Sequence, residues 1–391
     1  MRTFRLLCLY TLLYIAGVAR ALPGDSLEVG LLTCSPGTEV YALYGHTAIR
    51  VRSCAPGGED WVFNYGLFSF SRPHFIWRFA LGECDYQVGA VPYRYFAEEY
   101  AGRGSSVYQQ TLNLTAEEKA RLWALLLDDL RPENREYRYD FFYDNCTTRA
   151  RDRIEEAVDG DIVYPAQDTT CTFRGIVHQY TADYPWAELG NDICLGAAAD
   201  RPISAREEMF APFRMLRYAD GAVIRGADGR ERPLVLSTHE VVKGRGVEAA
   251  AEFPLPPSAC AWLLVVVVAV LTAVERWRRS CYWWLDVPVM ALVGVIGLVV
   301  TFLFFFSIHP TVGTNWQVWV FNPVPLLAMP WVAYCGIKRR KTAYHACNAA
   351  VLMFFMIFSA FIPQDFCAVV VPLALALLLR SCSYVVSYCE K

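Results

Sequence analysis

The stretch Tyr137-Arg-Tyr-Asp-Phe-Phe-Tyr-Asp-Asn-Cys-Thr-Thr-Arg149 decides how this chain is read. Its aromatic, alternating residues stop at Asp144-Asn145, and from Thr147 to Val158 the sequence reads as a helix. Asp and Asn are favoured helix caps because a short side-chain oxygen accepts from the unpaired amides of the first turn. Cys146 is therefore predicted in the first turn of a helix, where free N–H groups and the helix dipole favour an anion. A thiol in that position ionises more easily, and the thiolate is the nucleophile. The ordinary alternative is a buried or disulfide-bonded cysteine.

A second stretch, Tyr41-Ala-Leu-Tyr-Gly-His-Thr-Ala-Ile-Arg-Val51, supplies a partner. Gly45 bends the chain, and the alternation that follows predicts a strand. His46, Ala48 and Arg50 fall on one face, and Thr47, Ile49 and Val51 on the other. Leu27 to Cys34 reads as an earlier strand and Trp61 to Tyr65 as a later one, so residues 39–65 form a hairpin-like pair. A thiol needs a base or a cation beside it, and imidazole is the usual one. A nucleophile at a helix start facing a histidine on the adjoining sheet is the papain-like arrangement, here with His before Cys. Chain order is free as long as geometry is kept. Asn64, on the next strand, is the nearest group to hold the imidazole, with a turn-flanking asparagine as the other reading. Tyr44 and the amides near Cys146 are candidate donors to an oxyanion. The chain has 6 histidines and 14 cysteines, so context rather than number singles out this pair.

The remaining exported half is less explicit. Arg2 and Arg5 precede an apolar core, Leu6 to Val18, and Ala19-Arg-Ala21 resembles a cleavage site. Residues 1–21 thus read as a signal peptide or as an uncleaved anchor, and residues 22–257 as exported. Cys34 with Cys54 and Cys171 with Cys194 are bridges compatible with the spacing, leaving Cys84. A pattern that recruits Cys146 would remove the nucleophile. Phe68, Phe70, Phe75, Trp77 and Phe79 read first as core and second as a stretch resting on lipid. Thr115-Ala-Glu-Glu118 has capping-box spacing and opens an amphipathic helix through Leu122, Leu126 and Leu130, stopped by Pro132. Arg138 to Tyr143 reads as a strand. Phe213 to Val223 and Glu231 to Val242 read as peripheral strands, and Pro254 to Pro257 as a linker.

The composition is 55% apolar with a net charge of −3, and the apolar excess lies after residue 258. Near-neutral charge without a basic patch argues against nucleic acid. The runs Cys260–Val274, Val287–Ser307, Trp316–Ile337, Ala346–Ile362 and Phe366–Leu379 are candidate membrane helices, the fifth short for a span. Arg276, Arg278 and Arg279 follow the first run, and Lys338 to Lys341 the third. The positive-inside rule puts both clusters in the cytoplasm and residues 22–257 outside. His309, Asn315 and Asn322 then lie in or near the loop on the exported side. Polar groups at that depth face protein or a wet cavity. Neither Cys-x-x-Cys nor His-x-x-x-His spacing occurs, and no phosphate-binding glycine loop, so neither metal nor cofactor is expected.

In their order, Tyr44-Gly-His-Thr-Ala-Ile-Arg-Val51, Val62-Phe-Asn-Tyr-Gly66, Val107-Tyr-Gln-Gln-Thr-Leu-Asn-Leu114, Phe142-Tyr-Asp-Asn-Cys-Thr-Thr148 and His309…Asn315…Asn322-Pro323 resemble the Bacteroidota-type lipoprotein N-acyltransferases. The resemblance implies an α+β, circularly permuted papain-like domain in the periplasm, akin to lecithin:retinol acyltransferase. An all-α transmembrane bundle, residues 258–391, would follow it in the inner membrane. It implies that Cys146 takes an acyl chain from a phospholipid donor and passes it to the α-amine of a diacylated lipoprotein. His46 would act as base, and His309, Asn315 and Asn322 would contact substrate. A phospholipase or peptidase on the same scaffold, or a non-catalytic assembly factor, are the competing readings.

Overall fold

The alternating segments of the exported half pair into one antiparallel sheet. The computed structural model describes residues 26–69, 73–246 and 253–389; the signal segment 1–21 and Phe70 lie outside the described residues. In chain order come β1 (Leu27–Cys34), β2 (His46–Ser53), β3 (Asp60–Leu67), α1 (Phe75–Leu81), β4 (Asp85–Pro92), α2 (Tyr93–Arg103), β5 (Val107–Leu112), α3 (Ala116–Asp129), β6 (Glu136–Arg138) and α4 (Cys146–Ala157). Then follow β7 (Asp161–Val163), β8 (Cys171–Thr172), α5 (Phe173–Thr181), α6 (Pro185–Cys194), β9 (Pro202–Ile203), α7 (Ala205–Glu208), α8 (Pro212–Asp220), β10 (Val223–Arg225), β11 (Glu231–Pro233) and β12 (Val235–Val242).

The main sheet has seven strands in the order β12-β5-β1-β2-β3-β4-β6. Register sets Cys34 opposite His46 and Ala48 opposite Asn64. The predicted alternation of β2 holds. Ile49 and Val51 join Phe63, Tyr65, Leu122, Leu126, Ala150 and Ile154 in a core that α3 and α4 cover. Ala48 faces the other way, with Leu32, Val62, Phe96 and Tyr100 beneath α2. Helix α3 opens with the predicted capping box at Thr115 and Glu118.

Several expectations are corrected. Arg138 to Tyr143 is not a strand: β6 ends at Arg138, and Asp140 Oδ1 accepts from the amides of Phe142 and Tyr143, both at 2.9 Å, which turns the chain. Phe213 to Val223 is mostly helix α8, opened by Pro212, which buries Met215, Tyr218 and Ala219 at helical spacing. β12 is an edge strand of the main sheet rather than part of a peripheral one. The aromatic run is core only in part: Phe68 and Phe75 pack against the core, while Trp77 and Phe79 of α1 are exposed. The anticipated cysteine bridges do not form either: Cys34, Cys54, Cys171 and Cys194 are free thiols, Cys34 buried and Cys54 exposed.

Apolar helices follow: α9 (Pro257–Trp277), α10 (Trp283–Phe306), α11 (Val324–Ile337), α12 (Ala343–Phe358) and α13 (Val370–Cys389). Among the described residues, four stretches, 257–277, 283–306, 316–337 and 343–361, are long and apolar enough to cross a membrane, and Val370–Val386 is a shorter apolar helix. The third is broken, with a 3-10 turn at Trp316–Trp319 before α11. Gly294 and Gly297 of α10 lie so close to the Asn322–Leu326 segment that a Cβ at either would come within 2.4 Å of it, the small-residue contact that lets membrane helices approach. Arg380 of α13 is buried between Asp286 of α10, at 2.7 Å, and Glu275 of α9. The exported half is tied to the bundle by polar contacts. The Ile308 amide donates to the Leu81 carbonyl at 2.9 Å and that of Gly196 to Thr311 at 2.7 Å. Gln317 Nε2 donates to the Asp192 carbonyl at 2.7 Å.

Candidate active site

Cys146 is the first residue of α4, and Asn145 is its cap. Asn145 Oδ1 accepts from the amides of Thr147 and Thr148 at 2.8 and 2.9 Å. Its Nδ2 donates to the carbonyls of Phe141 and Phe210 at 2.7 and 2.9 Å, so one buried side chain fixes both the helix start and the turn before it. Asp144 holds Arg149 through two contacts, at 2.6 and 2.8 Å, and the Arg149 guanidinium lies 3.5 Å over the Tyr137 ring. The quoted motif is thus a self-braced turn that presents one thiol.

His46 opens β2. Gly45, with φ of 78°, makes the bend before it, and a Cβ there would lie 2.5 Å from the Cys34 carbonyl oxygen, so glycine is required. Thr47 Oγ1 and Thr147 Oγ1 lie 3.0 Å apart, pinning β2 to α4. This contact brings the partly buried His46 and Cys146 to the wall of one cavity, where the charge of each acts on the other. His46 Nε2 lies 3.1 Å from Asn64 Oδ1, and Asn64 is 7% exposed. Burial opposes ionisation of Cys146. The His46 charge and hydrogen bond, the Thr47 amide and the Thr147 hydroxyl outweigh it, holding the thiol below its ordinary value. Burial likewise disfavours a charged His46 ring, but the facing sulfur and Asn64 raise it above its ordinary value. Opposite shifts in two interacting groups favour a thiolate–imidazolium pair.

The other anticipated residues divide. The Tyr44 hydroxyl accepts from Asn191 Nδ2 at 2.8 Å, and burial pushes its pKa up to about 12, so it keeps its proton. His309 meets the Phe79 carbonyl through Nε2 at 3.0 Å and lies 4.0 Å from Asp140. Burial works against its charge, yet Asp140, Cys84 and that carbonyl raise its pKa to about 10. Tyr44, His46, Asn64, Cys146 and His309 all border one cavity of about 1490 Å³. Asn315 and Asn322 do not line it. Asn315 is 1% exposed, donates to the Ile193 carbonyl at 2.8 Å and accepts from Gln364 at 3.0 Å. Asn322 accepts from the Val324 amide at 3.1 Å, just before α11. Both side chains hydrogen-bond to the protein's own backbone and side chains, away from the Cys146 cavity.

Sequence reasoning passed over the Thr47 amide and Asp140. Asp140 sits in the same quoted stretch, at the turn, and was legible only as part of a strand. Leu303 and Val312, from α10 and the loop beyond it, complete the cavity wall. His178, Glu188 and Asp192 each bring one ligand atom within 4.8 Å of the others, but Asp192 already binds Arg174 at 2.7 Å.

A cavity that borders Cys146 and His46 on one side and the apolar helix α10, at Leu303, on the other belongs to a membrane-associated protein. Two family models match in succession: the Lnb N-terminal periplasmic domain over residues 16–178 and the Lnb transmembrane domain over residues 248–391. The chain belongs to the Lnb family, with the domain architecture of the Bacteroidota-type lipoprotein N-acyltransferases. No curated protein and no solved structure matches it.

Proposed function

We propose that this protein is a cysteine-dependent N-acyltransferase of bacterial lipoproteins, working at the periplasmic face of the inner membrane. Residues 22–257 would form its catalytic domain, of permuted papain-like type, and residues 258–391 its membrane domain. One observation carries the reading: Cys146, His46 and Asn64 border a cavity of about 1490 Å³ whose far wall is a membrane helix. Ordinary small-molecule pockets run to roughly 300–1,000 Å³, so this one suits a substrate with a lipid tail. The thiol at a helix start, the imidazole on the packed sheet and the asparagine behind it support the papain-like assignment.

The chemistry follows from the geometry. Asn64 occupies Nε2 of His46, which leaves Nδ1 for the thiol. The Cys146 thiolate attacks a phospholipid ester carbonyl, forming a C–S bond. The helix start and the protonated Tyr44 hydroxyl favour the negative charge on oxygen. The C–O bond then breaks, and the lysophospholipid leaves with the proton from His46. In the second half, the α-amine of a diacylated lipoprotein cysteine attacks the thioester. Its proton passes to His46, the C–N bond forms and the C–S bond breaks, restoring the pair. Apolar walls keep out water, so amine rather than water resolves the thioester.

The test is incubation of the purified full chain with phospholipid, with and without a diacylated lipopeptide, followed by mass spectrometry. A Cys146 thioester in the first mixture and an N-acylated peptide in the second are expected. Neither should form in Cys146→Ser, and an N-acylated peptide made by that variant would overturn the assignment. Free fatty acid as the sole product would make the protein a hydrolase.

A further inference from the structure

Helix α1 is apolar where it faces away from protein. Ile76 is 80% exposed and Trp77 58%. Its neighbour is the end of membrane helix α10. The Trp77 ring centroid lies 4.8 Å from that of Phe302, and the Leu81 carbonyl accepts from Ile308 at 2.9 Å. Beyond that seam the same surface continues on Phe305, Phe306 and Ile308, each more than 60% exposed (67%, 64% and 65%). An apolar face contiguous with a bilayer-covered one, carrying a tryptophan at its edge, belongs at the membrane interface. The inner side of α1 has another neighbour. Phe79 and Ala80 line the Cys146 cavity, and so does Leu303 of α10. From α1 inward the rings form a continuous series. Phe75 lies 5.8 Å from Phe68, Phe68 5.0 Å from Tyr86, and Tyr86 4.3 Å from Tyr139. Tyr139 and Cys146 flank Gly66 together, at 3.6 and 3.8 Å from where its Cβ would stand.

We propose that α1 and the end of α10 form a lateral doorway from the bilayer to Cys146. Helix α1 lies in the periplasmic leaflet. A phospholipid of that leaflet slides its acyl chain between Ala80 and Leu303 and along the aromatic wall, until its ester reaches the thiol. The doorway rests on the reading of Cys146 as the group that takes the acyl chain.

The experiment uses the full chain in nanodiscs of phosphatidylethanolamine carrying a diazirine in the acyl chain. Photolysis followed by peptide mapping should place adducts on Ile76, Trp77 or Phe79 as well as on the membrane helices. Absence of adducts between residues 73 and 82 overturns the proposal. Ala80→Trp should plug the doorway. Acylation of Cys146 by phospholipid should fall roughly tenfold or more, while its alkylation by iodoacetamide stays within about twofold of wild type. Acylation at the wild-type rate in that variant overturns the passage. If alkylation falls too, the smaller plug Ala80→Leu decides on the same two readouts. The adduct map does not depend on acylation. A wild-type protein that labels at α1 but never acylates Cys146 would sink the thioester chemistry and leave the membrane contact standing.

Discussion

Between Cys146 and His46 the decisive quantity is charge. The thiol is held below its ordinary value and the imidazole above it, each by the other. The sign follows for His46→Ala. Without the neighbouring cation, only the Thr47 amide and the Thr147 hydroxyl oppose burial, so the Cys146 pKa rises and the thiolate appears at higher pH. Alkylation of Cys146 by iodoacetamide at pH 7 should then slow by about tenfold or more, and its pH profile should move to the alkaline side. Identical profiles in variant and wild type would mean that the pair is not coupled. This pair was legible in the sequence because both residues sit beside strong local signals, a cap before Cys146 and a glycine bend before His46. Asn64 was legible by strand order. Asp140 was not, because its carboxylate turns the chain within a run of aromatic residues that alternates like a strand. The structural roles of Asn315 and Asn322 were hidden because their partners are backbone carbonyls and amides, which no side-chain pattern announces.

Among elements, α4 depends most on one side chain. Asn145 satisfies two amides of the helix start and two carbonyls of the turn and of Phe210. Asn145→Ala should cost about 1–2 kcal/mol for the cap, and about 1–3 kcal/mol more for the buried groups left without a partner. Chemical denaturation would measure it. Asn145→Asp should recover the cap part alone, since a carboxylate accepts from the amides but cannot donate to the carbonyls. The strands β1, β2 and β3 and helix α3 were readable because burial on one face imposes a clean period. Helices α5 to α8 were not: each is ten residues or shorter, too few turns for a period to stand out. Helix α1 misled for a different reason. Aromatic density signals burial, and whether protein or lipid supplies that burial is not written in the residues themselves.

On the scale of the whole molecule, two polar clusters organise the apolar half. At one end Arg380 joins α13 to α9 and α10 through Glu275 and Asp286. Arg380→Met would strand two buried carboxylates and should destabilise the bundle by about 3–5 kcal/mol, read as a loss of thermal stability in detergent. At the other end Asn315, Gln317 and Gln364 grip the carbonyls of Asp192, Ile193 and Leu195. That grip brings His309 and Leu303 to the chamber where Cys146 lies. The chamber therefore has no complete boundary within either half. A fragment ending before Pro257 would keep its nucleophile yet stand roofless in bulk solvent, where any acyl adduct meets water first. Under the proposed function, rates measured on such a fragment would report hydrolysis in place of transfer.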